Sequence, residues 1–314
     1  MDKKLEPVWD SEIGVVLEGM PNLNADFYVT RKNLQAFFTA KPYVDEAVTI
    51  TDRMIPGAAG DPDLRVRIYE PAVRNEILPG SLWIHGGGYV VGLPEMNDEL
   101  CVRFVKEAHC VIVSVDYRLP PETPFPGPLE DCYAALTWFS ENATSLKVDA
   151  SRIAVAGNSA GGGLAAGLAL LARDRKGPSI IFQMPLYPMI DDRNTTSSSY
   201  EITDPRIWNR ELTLRGWKAY LGENHRGEVS PYAAPNRAVD LSGLPPTYTC
   251  IAQLEPFRDE TIDYVTRLCQ AGVPTEFHLY PGGFHGFEVV APSAEISERT
   301  FVQYIDALRR ALHK

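Results

Sequence analysis

Residues 152–163 constrain the fold of this 314-residue chain more than any other stretch. Residues 153–156 are all apolar, which predicts a short buried strand, and 164–172 have the length and apolarity of a buried helix. Between these segments, Gly157 and Gly161 flank Ser159 in the order Gly-Asn-Ser-Ala-Gly. A turn this tight leaves no room for side chains at the flanking positions. The sequence therefore predicts a strand–turn–helix unit that exposes the Ser159 hydroxyl above a helix N-terminus.

Two other interpretations of this stretch are weaker. Residues 153–172 carry no charged side chain and are long enough to span a bilayer, but several glycines and a polar turn make them a poor membrane helix. Gly161, Gly163 and Ala166 match a degenerate dinucleotide-binding fingerprint. That fingerprint should begin where the strand ends, whereas here it begins after the serine turn. A buried strand–turn–helix unit explains the stretch better.

Composition excludes several classes of partner. The chain is 45% hydrophobic and 23% charged, which is ordinary for a globular protein with a sizeable core. Its formal net charge of −11 and pI of about 5.1 disfavour a broad surface for nucleic acid or anionic membranes. The first residues lack the apolar core and cleavage site of a secretory signal. We therefore expect no nucleic-acid partner and no stable membrane association.

The cysteines and histidines indicate neither disulfides nor a metal site. The five cysteines are scattered, odd in number and without a Cys-x-x-Cys pair, and several lie within apolar patterns typical of buried free thiols. The histidines show no metal-like spacing. We expect a cytoplasmic location, no metal and no cofactor.

Strands and helices alternate along most of the chain. Residues 48–50 and 64–69 alternate apolar and polar side chains around a turn at 60–63, which predicts an antiparallel pair with one wet face. Further strands are predicted at 81–84, 111–115, 153–156, 180–184, 247–252 and 276–280, and the first three of these are apolar runs typical of buried strands. Helical patterns lie at 97–108, 129–140, 164–172, 257–271 and 294–312. This order predicts an α/β fold, a mostly parallel mixed sheet with helices on both faces.

An activated serine needs donors for an oxyanion, and a glycine-rich loop offers them. His85-Gly-Gly-Gly88 directly follows the predicted strand 81–84. Three consecutive glycines let backbone N–H groups point at one position without interference from Cβ atoms. The alternative is a flexible glycine loop, but its place at a strand end favours an oxyanion hole. We interpret His85 as a brace of this loop.

A base and an acid follow two later strands. His285 lies between small residues directly after the strand 276–280, where it is placed to act as a general base. The remaining histidines have weaker cases: His109, His225, His278 and His313. For the orienting acid we favour Glu255, which follows the strand 247–252, over Asp259, which lies one helical turn on. The chain order Ser159, Glu255, His285 is that of α/β-hydrolases.

These motifs resemble the hormone-sensitive-lipase-like esterases, the bacterial family IV of lipolytic enzymes. The resemblance rests on His85-Gly-Gly-Gly88 with Gly92, Asp116-Tyr-Arg-Leu-Pro-Pro-Glu122, Gly157-Asn-Ser-Ala-Gly-Gly162, Glu255-Pro-Phe-Arg-Asp-Glu260 and Phe284-His-Gly-Phe287. It implies the α/β-hydrolase fold with a helical cap, and a cofactor-free carboxylesterase that uses a catalytic triad. By resemblance Ser159 is the nucleophile, His285 is the base, and the oxyanion hole is formed by the N–H groups of Gly87, Gly88 and Ala160.

Two residues depart from the family pattern. Asn158 stands where the family usually has aspartate beside the serine, and we expect only a local change in hydrogen bonding. Glu255 stands where the acid is usually aspartate, so the strand end or rotamer must adjust to one more methylene. Asp259 therefore stays open as the alternative acid.

The alternation of strands and helices stops in two places, which we interpret as a cap. Residues 1–45 have helical spacing and are either a packing arm or half of a lid, with apolar edges at Ile13, Val16 and Leu17 and at Leu34, Phe37 and Phe38. Residues 191–244, with a helical pattern at 210–220, are too long for a simple connection. We divide the chain into an N-terminal cap segment (1–45), a catalytic domain in two parts (46–190 and 245–314) and an inserted cap (191–244).

The sequence predicts a serine ester hydrolase, and its substrate is less well determined. We expect small to medium acyl esters, with Tyr89, Trp208 and Phe287 as substrate-binding residues. A homodimer is the one assembly left open. The alternatives are a non-catalytic small-molecule receptor on the same fold, or an amidase or deacetylase with the same triad.

Overall fold

The computed structural model describes residues 8–23, 26–222 and 227–314, and eight strands in these ranges form one sheet. The strands are β1 (Val48–Ile55), β2 (Leu64–Pro71), β3 (Leu78–Ile84), β4 (Val111–Val115), β5 (Val148–Asn158), β6 (Phe182–Leu186), β7 (Thr247–Leu254) and β8 (Thr275–Phe284). Their order across the sheet is β1-β2-β4-β3-β5-β6-β7-β8. β1 pairs antiparallel with β2, β2 pairs antiparallel with β4, and the remaining pairs are parallel. The predicted mixed, mostly parallel sheet is confirmed.

Burial explains the sequence patterns of the strands. Every residue of β3 and β4 is buried, because helices cover both faces of the sheet at these strands. The edge strand β1 is buried only at its two ends, Val48 and Ile55, so its polar residues face water. Continuous apolar runs therefore mark the central strands β3 and β4, whereas the edge strands β1 and β8 carry polar residues that are partly or fully exposed.

Helices occupy the segments between the strands. In the described ranges they are α1 (Ser11–Glu18), α2 (Phe27–Ala40), α3 (Asp98–Glu107), α4 (Gly127–Glu141), α5 (Ala160–Arg175), α6 (Ser197–Glu201), α7 (Arg210–Leu221), α8 (Arg258–Gln270), α9 (Phe287–Val290) and α10 (Glu295–Leu312). Short 3₁₀ turns lie at Pro94–Asn97 and Pro235–Arg237. Each strand and helix predicted after residue 45 is present, with ends shifted by a few residues.

The uncharged stretch that begins after Arg152 is divided between β5 and α5. The helix is buried from Ala160 to Ala172 because it packs beneath the sheet's central strands. No helix within the described residues is long and apolar enough to cross a membrane. The strand–turn–helix interpretation of this stretch is therefore confirmed.

The two N-terminal helices attach differently to the rest of the molecule. Ile13 and Leu17 of α1 are buried, whereas Val16 is 39% exposed, so the apolar edge predicted for this helix is narrower than expected. The helix α2 has no buried residue. Instead, Arg31 anchors it: Nε donates to the carbonyl of Val90 at 2.6 Å, and the same guanidinium contacts Glu122 and the Pro120 carbonyl.

Some expectations fall on residues outside the described ranges. These residues are 1–7, where we expect no secretory signal, 24 and 25, and 223–226, which include His225. The expected cap segments are thus described only in part. Their described helices, α1, α2, α6 and α7, are short elements that lie outside the sheet.

Candidate active site

The serine turn has the geometry that its glycines predict. Ser159 lies between β5 and α5 with φ 57° and ψ −121°, a conformation that non-glycine residues rarely adopt. A Cβ atom at Gly161 would collide with the carbonyl oxygen of Ile84, so the close approach of α5 to β3 requires glycine. The N–H of Ser159 donates to the Leu186 carbonyl at 2.9 Å, which ties the turn to β6. The strained serine is therefore held by backbone on both sides.

Three side chains from different strand ends meet at this turn. Nε2 of His285, which follows β8, lies 2.9 Å from the Ser159 hydroxyl oxygen. Nδ1 of the same ring lies 2.7 Å from Oε2 of Glu255, which follows β7. Because the carboxyl ends of parallel strands meet at one edge of the sheet, residues far apart in sequence become neighbours here. The arrangement can transfer a proton from serine to imidazole while a carboxylate orients the ring.

The structure brings Glu255, and not Asp259, to His285. Glu255 is fully buried, and its Oε1 accepts the Phe257 N–H at 3.3 Å. Asp259 points elsewhere: it accepts the N–H of Ser198 at 2.8 Å and the Nε–H of Arg258 at 2.7 Å. Its place in the first turn of α8 suits a carboxylate for helix-dipole reasons alone.

The glycine loop after β3 presents unused donors near the serine. The N–H groups of Gly87, Gly88 and Ala160 donate to no acceptor within the described chain. The loop is closed by the N–H groups of Val90 and Val91, which both donate to the Gly87 carbonyl. The loop therefore has a defined turn with free N–H groups, which is the form that an oxyanion hole requires.

His85 braces this loop from below. Its ring is fully buried and stacks on Tyr117 with ring centroids 4.3 Å apart, and Tyr117 donates its hydroxyl to the His85 carbonyl at 3.0 Å. Nδ1 of His85 lies 2.8 Å from the Gly86 carbonyl oxygen. Burial lowers the pKa of His85, so the ring is neutral near pH 7. The residue supports the loop and does not contact Ser159.

A cavity of about 730 Å³ opens above Ser159. The N-terminal segment contributes to its wall from α2 and from the connection before it, with Met20, Leu23, Phe27, Thr30, Leu34 and Phe37. The opposite side contains Ile207, Trp208 and Leu212. Arg206 is the one arginine, lysine or acidic side chain among the described lining residues, and it is paired with Asp204 at 2.6 Å. The cavity wall is therefore largely apolar, and its polar residues include Thr30, Asn33 and Asn97 as well as those beside the serine.

Of the three residues predicted to bind substrate, one lines the cavity and two do not. Trp208 lines the cavity, and its ring lies so close to Gly88 that a Cβ atom there would collide with it. Tyr89 does not line the cavity: its φ of 68° turns the side chain inward, where it stacks on Tyr220 and donates to the Met189 carbonyl.

Phe287 is the second predicted substrate-binding residue that the structure places away from the cavity. It is 3% exposed and lies outside the cavity wall, with its ring edge-on to Tyr280 at 5.8 Å. The left-handed Gly286 reverses the chain after the base, so Phe287 packs into the core as the first residue of α9. Proximity in sequence to the base therefore does not indicate a substrate contact.

Sequence reasoning missed Tyr187 and Asn97, which both line the cavity. Tyr187 directly follows β6, so the rule that residues after parallel strands reach the site could have found it. Asn97 had no such signal, because it ends a 3₁₀ turn and its side chain accepts the Trp83 indole N–H at 3.0 Å.

Known proteins resemble this chain over most of its length. Residues 81–289 match a family described as the alpha/beta hydrolase fold. The chain belongs to the α/β-hydrolase family. This α/β-hydrolase is 37% identical over 292 residues to Carboxylesterase NlhH of Mycobacterium tuberculosis, which covers 91% of this chain and 89% of that protein. It is 38% identical over 276 residues to Esterase LipI of the same organism, with 86% and 84% covered.

A solved structure agrees with these relatives. The structure described as Bacterial Heroin Esterase superposes with a TM-score of 0.93 at 42% identity, covering 98% of this chain and 99% of that one. The fold and family that the motifs predict are therefore confirmed.

Proposed function

We propose that this carboxylic-ester hydrolase attacks its substrate with Ser159, uses His285 as base and Glu255 as the orienting acid, and acts on neutral esters of small to medium acyl groups. The observation that carries the proposal is the continuous contact from the Ser159 hydroxyl through His285 to Glu255, at 2.9 and 2.7 Å. Relatives named as esterases, which match over most of both chains, support the enzyme class.

The geometry supports acyl transfer in two steps. Ser159 attacks the ester carbonyl carbon while Nε2 of His285 accepts the hydroxyl proton, and Glu255 stabilises the imidazolium that forms. The imidazolium then protonates the leaving alcohol, which leaves an acyl group on Ser159. Water, deprotonated by His285, attacks this acyl group and returns the serine hydroxyl.

The negative oxygen of each tetrahedral intermediate needs donors on one side of the serine. We assign this role to the N–H groups of Gly87, Gly88 and Ala160, since they have no other acceptor in the described chain. Ala160 is the first residue of α5, so the helix dipole adds to its stabilising effect. Loss of one such donor typically lowers turnover by roughly 10²–10³-fold.

The cavity supports a neutral, largely apolar substrate. Arg206 is already paired, so no free cation in the described wall would bind a carboxylate of an acidic substrate. Trp208 covers Gly88 and limits the space on that side of residues 85–88, the proposed oxyanion loop. We propose that this ring keeps the acyl group small to medium.

We also propose that 1–45 and 191–244 form the cap, with 46–190 and 245–314 as the catalytic domain.

Covalent labelling and substitution test the proposal together. A fluorophosphonate should attach to Ser159 in the folded protein, and Ser159→Ala should abolish both labelling and hydrolysis of nitrophenyl esters without lowering the melting temperature. Ser151→Ala, at an exposed serine near the start of β5, is the matched control. Labelling failure in folded protein would favour a receptor, and turnover retained by Ser159→Ala would refute the nucleophile.

A cytoplasmic location and a homodimer remain proposals. The location is supported by the thiols, because Cys101, Cys110, Cys132 and Cys250 are buried and free. In the described chain these thiols form no disulfide, as suits a reducing compartment. Sedimentation of the purified protein would test the dimer.

A further inference from the structure

A hydrogen-bonded chain of three side chains connects the segment that carries Ser159 to the segment that carries His285. Nδ2 of Asn158 donates to the Tyr187 hydroxyl oxygen at 3.3 Å, and the Tyr187 hydroxyl donates to Oε1 of Glu288 at 2.6 Å. Asn158 is the residue before Ser159, and Glu288 is three residues after His285. One end of this hydrogen-bonded chain is thus adjacent in sequence to the nucleophile, and the other lies on the first turn after the base.

Burial makes these contacts energetically important. Glu288 is 1% exposed and Tyr187 is 5% exposed. The Tyr187 ring also packs edge-on against His285, with ring centroids 5.2 Å apart. Oε2 of Glu288 and Oδ1 of Asn158 are buried without a hydrogen-bond partner in the described chain. No spare donor is therefore at hand to replace one that is lost from this chain.

The direction of the hydrogen bonds depends on residue type. The Tyr187 phenol has one O–H group, which donates a hydrogen bond to Glu288, so its oxygen accepts a hydrogen bond from the Asn158 amide. An aspartate at position 158 has no N–H group. The phenol would then face two carboxyl groups with one proton to share, and a buried acceptor would remain unsatisfied.

We propose that Asn158, Tyr187 and Glu288 are positioning residues that hold Ser159 and His285 at reaction distance, and that the amide at 158 is matched to the carboxyl at 288. This inference rests on the proposed function, because the chain acts through the nucleophile and the base. It also explains why asparagine, in place of the family's usual aspartate, suits this protein.

A double-mutant cycle tests the match. The rate of fluorophosphonate attachment to Ser159 and kcat/KM for nitrophenyl acetate should both fall about tenfold in Asn158→Asp, the equivalent of losing one buried hydrogen bond. Glu288→Gln should lower both quantities about two- to threefold, since the amide oxygen still accepts the hydrogen bond from the phenol. The double variant should react faster than Asn158→Asp, because the amide introduced at position 288 donates to the phenol, which then donates to the aspartate.

The pH dependence gives a readout that a purely structural role would not change. The Asn158→Asp deficit should shrink as the pH falls, because a protonated carboxyl supplies the missing donor. Burial raises the pKa of Glu288, so this recovery should begin above the ordinary range of carboxyl groups. The titratable groups near Glu288 are Tyr187, Cys250, Glu255, Tyr280, His285 and Tyr304. Burial raises the pKa of Cys250 and of the three tyrosines, so these groups stay neutral.

Tyr187→Phe provides the control, because it removes the hydroxyl that joins the two ends. In that background the effects of Asn158→Asp and Glu288→Gln should multiply independently. The inference is overturned if they multiply independently in the presence of Tyr187, or if Asn158→Asp keeps the full labelling rate at every pH. If Asn158→Asp does not fold, restoration of the melting transition by Glu288→Gln supports the match, and its absence contradicts it.

The labelling rate separates this inference from the proposed function. A protein that is labelled at Ser159 but hydrolyses no ester would refute the proposed function, and the cycle could still be completed by labelling. A protein that hydrolyses esters and shows no coupling between positions 158 and 288 would refute only the positioning chain.

Discussion

Oε2 of Glu255 lies 2.7 Å from Nδ1 of His285, although glutamate is one methylene longer than the aspartate that the family motif has here. The additional length is accommodated at the end of β7, where the side chain is fully buried and Oε1 accepts the Phe257 N–H. A carboxylate in this position keeps the proton on Nδ1 and leaves Nε2 free to accept from serine.

Glu255→Gln should lower kcat by roughly 10³–10⁴-fold, because the amide can stabilise the wrong imidazole tautomer and carries no charge. Asp259→Asn is the matched control, since its carboxylate contacts Ser198 and Arg258 instead. It should leave kcat within about threefold, in line with its distance from the reacting atoms. Steady-state kinetics with nitrophenyl acetate would decide, and equal losses in the two variants would contradict the assignment.

Trp208→Ala should shift the preference towards longer acyl chains. The indole covers Gly88 and is held by a hydrogen bond from Nε1 to the Thr213 hydroxyl at 2.9 Å, so its removal opens space beside the oxyanion loop. The ratio of kcat/KM for nitrophenyl octanoate to that for the acetate should rise about tenfold or more. Trp208→Phe keeps most of the ring and should change the ratio less. An unchanged ratio in Trp208→Ala would place the acyl group elsewhere in the cavity.

Arg31→Gln should raise KM for longer esters severalfold, with little effect on kcat. The helix α2 lines the cavity without burying a residue of its own, so its position depends on the contacts of Arg31 with Val90 and Glu122. Lys32→Gln removes the same charge from the same helix at an exposed position and serves as control. Equal KM values in the two variants would show that the guanidinium does not hold α2.

Glu260→Gln should alter the dependence of stability on pH. Glu260 is 1% exposed, its Oε1 accepts the N–H groups of Ile190 and Asp191, and burial raises its pKa well above the ordinary value of 4.5. The folded protein therefore keeps a proton that the unfolded chain releases, so the stability from this group is complete below pH 4.5 and is lost as the pH rises towards the folded-state pKa.

Melting temperatures from pH 4.5 to 8 would test this sign. The wild type should lose stability relative to Glu260→Gln as the pH rises, by about 1.5 °C in melting temperature for each kcal/mol in a chain of 314 residues. Glu46→Gln, at an exposed position, should follow the wild type throughout. If the melting temperature of the wild type instead rises relative to that of Glu260→Gln as the pH increases, the buried carboxyl is ionised in the folded protein.

The parts of the site predicted from sequence are those with a local physical signature. Ser159 is marked by glycines that a close backbone approach requires, and Gly87 and Gly88 by a run that exposes N–H groups. His285 is marked by its position after a strand. Each of these signals lies within a few residues of the group that it predicts, so one stretch of sequence is enough to find it.

The remaining parts depend on where side chains point after the backbone turns. Tyr89 and Phe287 adjoin the motifs, but left-handed residues at Tyr89 and Gly286 direct both rings into the core. The pair of Tyr187 and Glu288 is separated by 101 positions, and no local pattern connects them. Such contacts follow from tertiary packing, which a single sequence does not encode in any short window.

The location of His285 after β8 has a consequence for synthesis of the enzyme. β8 lies at the opposite edge of the sheet from β1 and pairs only with β7 among the described strands, so it can join after the rest of the sheet has formed. A nascent chain that has emerged as far as β7 already contains the serine turn and the oxyanion loop, yet it has no base to activate the nucleophile. On the proposed assignment, catalysis therefore begins only after β8 has docked onto β7, because a chain without that segment lacks the base.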